Sequence, residues 1–166
     1  ERTIVSLWPD KWTYQMPVAS GLMGSIADKR RAIDLIYSND NQHFDFVELK
    51  IRSDTPLYAA MEILGYGLVY LASRRDTVKN LKYNKNSLSV MTASQITLCV
   101  LAPKDYYENC NLKWLQDAIN KGLHDFVKDD LTMNFRFESL PEDFVWNHKM
   151  QANQVTEYFG RENVYA

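Results

Sequence analysis

Three residues in the first third of the chain have types and spacing that could do chemistry together. They are Asp34 within Ala32-Ile33-Asp34-Leu35-Ile36, and Glu48 and Lys50 within Phe44-Asp45-Phe46-Val47-Glu48-Leu49-Lys50. Side chains alternate faces along a strand, so Glu48 and Lys50 share one face if the second segment is extended. Placing an acid inside an apolar segment is unfavourable unless it is paired or binds a metal. Two carboxylates brought close raise each other's pKa unless a cation sits between them. A hard divalent cation such as Mg²⁺ or Mn²⁺ takes oxygen ligands and keeps waters. Asp34, Glu48 and the carbonyl of Leu49 would supply oxygens. Lys50 would orient or help deprotonate an attacking water and offset phosphate charge, while a cation would lower that water's pKa.

The elements that must position these residues follow from periodicity. Trp12 to Ala19 reads as a short strand or edge segment, and Gly21 to Asp28 as a loop. Ala32–Tyr37 and Phe44–Ile51 flank the turn signal Ser38-Asn39-Asp40-Asn41 and read as an antiparallel hairpin. A hairpin can set Asp34 beside Glu48. Pro56 opens a helix to about Ser73, with Ser53, Asp54 and Thr55 as cap candidates. Leu57, Met61, Leu64, Leu68 and Leu71 recur along it at helical spacing. Gly65 and Gly67 inside it suggest close packing on a strand. Arg74 to Ser94 carries no clear pattern. Gln95–Ala102 is a nearly continuous apolar run, as a buried strand requires. Leu112 to Val127 has helical spacing, Leu131 to Glu138 alternates, and the tail from Glu142 is expected to be helical in part. The expected fold is therefore α/β, a mixed central sheet flanked by helices.

The pair Ile33-Asp34-Leu35 and Phe46-Val47-Glu48-Leu49-Lys50 resembles the Asp…Glu-x-Lys signature of the PD-(D/E)XK nuclease superfamily. The order of elements also resembles that family's restriction-endonuclease-like core. The resemblance spans roughly Trp12 to Glu138. It implies Asp34 and Glu48 as metal ligands, Lys50 as the catalytic lysine, Mg²⁺ or Mn²⁺ as cofactor, and nucleic acid, DNA first, as substrate. Many members carry Gln…Tyr in the following helix. Here Glu62 stands where Gln is common and Tyr66 fits, so Glu62 is expected either as a third acid near the metal or as a partner for Lys50. Many members also place an acid on a helix ahead of the first strand. Only Glu1 and Asp10 precede that strand here, so the upstream helix is expected to be truncated or absent from a domain spanning 1–166.

Bulk properties restrict the alternatives. Hydrophobic residues make 46% of the 166 and charged residues 24%, the balance of an ordinary globular domain. No apolar run is long enough to span a membrane. Nineteen basic against 21 acidic residues give a formal charge of -2, unlike a generic nucleic-acid binder with a basic face. Lys29, Arg30 and Arg31 form the one basic run and could hold phosphates, although such runs more often sit in water. Arg136 could reach a phosphate, but a surface role is favoured. Trp8, Trp12, Tyr106, Tyr107 and Trp114 could stack on bases, with core or rim packing the commoner use. Cys99 and Cys110 make no disulfide framework, which favours a reducing cytoplasm. His43, His124 and His148 show no zinc spacing. A homodimer is compatible with all of this. Two other readings stay open: an inactive nuclease-fold domain for nucleic-acid binding or protein assembly, and a different hydrolase or a purely structural α/β protein.

Overall fold

The computed structural model describes residues 1–17, 32–52, 54–75, 89–127, 131–145, 151 and 153–155. In chain order these form α1 (Arg2–Leu7), β1 (Trp12–Pro17), β2 (Ala32–Ser38), β3 (His43–Leu49), α2 (Pro56–Arg75), β4 (Gln95–Ala102), α3 (Lys113–Phe126) and β5 (Thr132–Ser139). The fold is α/β, with one five-stranded mixed sheet in the order β1-β2-β3-β4-β5. The β1–β2 and β2–β3 pairs are antiparallel, and β3–β4 and β4–β5 are parallel. The hairpin, the two helical crossovers and the boundaries of β2 through β5 agree with the sequence pattern to within one or two residues. Lys29, Arg30, Arg31 and the expected loop at 21–28 lie outside the described residues, as do the last two residues of the expected first strand. Of the tail, Asn153–Val155 is helical.

Apolar residues of β2 to β5 bury both faces of the sheet, as sandwiched parallel strands must. Phe44, Phe46, Ile96, Leu98, Met133 and Phe135 lie under α2 and α3. Leu35, Val47, Cys99 and Leu101 face Ile4 of α1 and Leu140 and Phe144 beyond β5. Each such side chain, buried, contributes about 1.5–3 kcal/mol. The open edge of β5 is covered by α3. Asn120 Oδ1 accepts from the Phe135 N–H at 2.7 Å, its Nδ2 donates to the Phe135 carbonyl at 2.9 Å, and Gln116 Oε1 accepts from the Phe137 N–H at 2.9 Å. These bonds satisfy the groups that would otherwise recruit a foreign strand.

On α2 the leucine and methionine stripe is split: Leu57, Met61 and Leu68 are exposed, whereas Leu64 packs against the core and Leu71 is buried. The buried face is Ala59, Ala60, Ile63, Gly67, Tyr70 and Leu71. Small residues bring the helix axis close to the strands, and burial follows shape rather than hydrophobicity here. A Cβ on Gly67 would stand 2.7 Å from Cδ1 of the fully buried Leu98, the close packing expected of that glycine. Gly65 does not share the role, since a Cβ there would meet nothing within 4 Å. Of the cap candidates, Ser53 lies outside the described residues, and Thr55 caps, its Oγ1 accepting from the Tyr58 N–H at 3.3 Å.

Candidate metal and phosphate site

At the carboxyl end of β3 the sheet opens. The β2–β3 register runs from Ser38↔Phe44 to Leu35↔Val47 and stops one step before Asp34 and Glu48. There Leu49 N–H donates to Asp34 Oδ2 at 3.0 Å instead of continuing the ladder. On the other side, β1 pairs with β2 at Tyr14↔Leu35 and Met16↔Ile33 but not between them. The intervening Gln15 has a left-handed backbone, φ 48°. Asp34 thus stands where neighbouring strands release β2 on both sides. Backbone held in a sparsely populated region persists only where its surroundings enforce it, and such residues gather at functional sites. β3 itself stays anchored to β4 through Leu49↔Leu101 and the Lys50 N–H, which donates to the Leu101 carbonyl at 3.0 Å.

Alternation then places Glu48 and Lys50 on the α2 side with Phe46, and continuing the register sets Asp34 beside Glu48 on that side. The three side chains proposed from spacing are brought together. Lys50 Nζ lies 2.9 Å from Glu48 Oε1, 2.8 Å from Glu62 Oε2 and 3.2 Å from Asp54 Oδ2. Tyr66 donates to Glu62 Oε1 at 3.2 Å. Of the two roles open for Glu62, the geometry favours the partner of Lys50. Asp54 escaped the sequence reading, which offered it only as a helix cap. Its backbone is left-handed (φ 62°), and its Oδ1 accepts from Tyr106 at 2.6 Å. Its signal was position: a turn four residues past the lysine and two before the helix-opening Pro56 folds back over the strand end.

The electrostatics are those of an acid-rich cavity. Four carboxylates, of Asp34, Glu48, Asp54 and Glu62, gather around one ammonium. Burial raises Asp34 above the usual carboxylate range, against the lowering effect of the Leu49 N–H. Burial also pushes Glu48 up to about 8, with the charge of Asp34 adding to it. Lys50 behaves oppositely. Burial disfavours its charge, but the bonds to Glu62 and Glu48 outweigh that and hold it more firmly protonated than a free lysine. Burial and the Glu62 charge raise Tyr66. Lys50 is therefore a cationic donor in this arrangement and not a ready base.

A short helix does precede the first strand. Glu1 sits at the N-cap of α1 and accepts from Gln15 Nε2 at 3.4 Å. Its charge is felt at Asp34, where it disfavours ionisation. Glu1 therefore approaches the site, whereas Asp10 lies in the turn after α1.

A divalent cation fits the donors on one specific observation. Glu48 Oε2 is buried and has no hydrogen-bond partner, while Oε1 is taken by Lys50. An orphaned carboxyl oxygen in such a cluster can be met by a cation or, given the raised pKa of Glu48, by a proton. Among the described residues no three His, Cys, Asp or Glu side chains converge as a ready-made metal cage. Mg²⁺ ordinarily uses one or two carboxylates with waters and substrate phosphates, which Asp34 and Glu48 can provide.

Arg136 is drawn away from this site. It faces the other side of the sheet, 3.0 Å from the buried Asp45 and 2.9 Å from Glu138. It serves neither as a free surface cation nor as a neighbour of Lys50. Trp12 is buried, Trp114 is exposed, and the Tyr107 hydroxyl donates to the carbonyls of Val100 and Glu138 at 2.7 and 3.1 Å. Among the described residues, no helix is long and apolar enough to cross a membrane. No family model, curated protein or solved structure matches this chain, and the geometry of Asp34, Glu48 and Lys50 is what a functional reading has to stand on.

Proposed function

We propose that this protein is a divalent-metal-dependent phosphodiesterase acting on nucleic acid, DNA in the first instance, on a restriction-endonuclease-like core. The observation that carries the reading is the shared face of Asp34, Glu48 and Lys50 at a break in the sheet, with one buried oxygen of Glu48 unpartnered. Asp34 and Glu48 would hold Mg²⁺ or Mn²⁺, joined by the Leu49 carbonyl. The bound cation supplies positive charge to the phosphate oxygens and an acidified water. Lys50, kept protonated by Glu62 and Asp54, faces the phosphate as a second positive charge and a donor. Tyr66 fixes Glu62, and Tyr106 fixes Asp54, so the ammonium is held from two sides. Water attack at phosphorus forms one P–O bond and breaks another to the sugar oxygen. The water's proton passes to bulk solvent, and bulk solvent returns one to the departing oxygen. The strand-hairpin-helix-strand order and the cluster at the carboxyl ends of β3 and β4 support this core, since open α/β sheets bind ligands at that end.

The test is cleavage of supercoiled plasmid, single-stranded DNA and RNA with Mg²⁺ or Mn²⁺. Asp34→Ala and Glu48→Ala are each expected to abolish it while the circular dichroism spectrum stays folded, and Lys50→Ala is expected to abolish it with a loss of stability as well. Intact substrates throughout would remove the hydrolytic reading. A second reading, an inactive domain of the same fold serving binding or assembly, is favoured by Lys50 already having three carboxylate partners. Calorimetry with Mn²⁺ separates the two, because the second reading expects no heat even at millimolar ion.

A further inference from the structure

The geometry points to Tyr58 as a stacking platform for an unpaired base next to the cleaved phosphodiester, making single strands or frayed ends the preferred substrate of the site proposed above, on whose reading it rests. Tyr58 stands on the first turn of α2 with 57% of its surface exposed. Its ring centroid lies 5.9 Å from Lys50 Nζ, within the reach of one nucleotide from a phosphate held at that ammonium. Met61, also exposed, lies one turn on at i+3 and extends the apolar shelf. Glu62, one turn beyond Tyr58 on the same side of the helix, is the residue that holds Lys50. The apolar shelf and the charge cluster are therefore continuous.

Large exposed apolar side chains set beside a polar site mark contact surfaces. A nucleobase fits this one. Every base presents a π-face to an aromatic ring, so stacking tolerates any sequence. A methionine sulfur adds a favourable contact to aromatic edges. In a duplex the base faces are already stacked on one another, and a base must leave the helix to reach such a platform. A single strand meets no such penalty.

The experiment is steady-state cleavage by the full chain with Mn²⁺, on a labelled single-stranded oligonucleotide and on the same sequence in duplex form, as DNA and as RNA. Tyr58→Ala is expected to raise KM on single strands about 5- to 150-fold with kcat little changed, and to leave duplex kinetics alone. Tyr58→Trp is expected to restore the single-strand KM. 2-Aminopurine beside the cut bond, bound with Ca²⁺ in place of Mn²⁺, should be quenched by the wild type and not by Tyr58→Ala. If the wild type cleaves and Tyr58→Ala keeps its single-strand KM, or loses equally on both forms, the platform is wrong and the metal site survives. If the wild type cleaves neither form, the hydrolytic reading falls and the platform falls with it.

Discussion

Lys50 Nζ lies 2.9 Å from one carboxylate oxygen of Glu48, while the other oxygen of the same group is buried without a partner. The pair is half-neutralised, and pH and metal ions act directly on that imbalance. Glu48 titrates near 8 in the fold against an ordinary value of 4.5. A raised carboxyl pKa means the folded state binds the proton more tightly than the unfolded chain. This contribution to stability is present in full below about pH 4.5 and is lost as pH rises through 8. The metal-free protein should accordingly melt at a lower temperature at pH 8 than at pH 6. Mn²⁺ should raise the melting temperature more at pH 8, where fewer protons need be displaced than at pH 6. Thermal melts at the two pH values, with Mn²⁺ and with a chelator, check this. An equal gain at both would contradict it.

Removing Lys50 should damage both fold and activity. Lys50→Ala leaves Glu48, Asp54 and Glu62 without their shared cation, and breaking a buried ion pair costs about 3–5 kcal/mol. The single-turnover rate should fall at least about 10²-fold. Glu62→Gln, by contrast, keeps its amide oxygen as an acceptor for Lys50 while its Nε2 can donate to the Tyr66 hydroxyl, and should stay folded with a much smaller loss of rate. Urea titration and single-turnover cleavage of both variants decide it. Equal losses would show that the charge of Glu62, and not its hydrogen bonding, is what matters.

Arg136 offers the control on the far face. Arg136→Leu removes the cation beside the buried Asp45, which keeps its hydrogen bonds with Thr97 and Asn39, and should destabilise by less than the about 3–5 kcal/mol of a wholly unpaired buried charge. At a temperature where the variant is folded, its KM for nucleic acid should match the wild type. A raised KM in a fully folded variant would place Arg136 in substrate binding after all.

The two glycines of α2 should respond in opposite directions. Gly65→Ala meets open space and should stabilise by about 0.5–1 kcal/mol through helix propensity. Gly67→Ala drives a methyl into Leu98, and overpacking of about 1–3 kcal/mol should exceed the propensity gain. Chemical denaturation of both variants reads the signs.

What the sequence determined by itself is local. Period-two alternation, the Ser38–Asn41 turn and the apolar run Gln95–Ala102 place the strands, because alternation and turn chemistry act between near neighbours. The same alternation puts Glu48 and Lys50 on one face, and the hairpin carries Asp34 to them. Tertiary structure decided what depends on distance and shape. Which side of α2 meets the sheet was set by Ala59, Ala60 and Gly67, since a close approach requires small residues and no hydrophobic count reveals it. Asp54 joins Lys50 because a turn folds over the end of β3, and Glu1 nears Asp34 because α1 packs back against the sheet. Arg136 is claimed by Asp45, 91 positions away in the chain. Such pairings are fixed by burial, where an unpaired charge is too unfavourable to leave alone, and no spacing in the chain announces them.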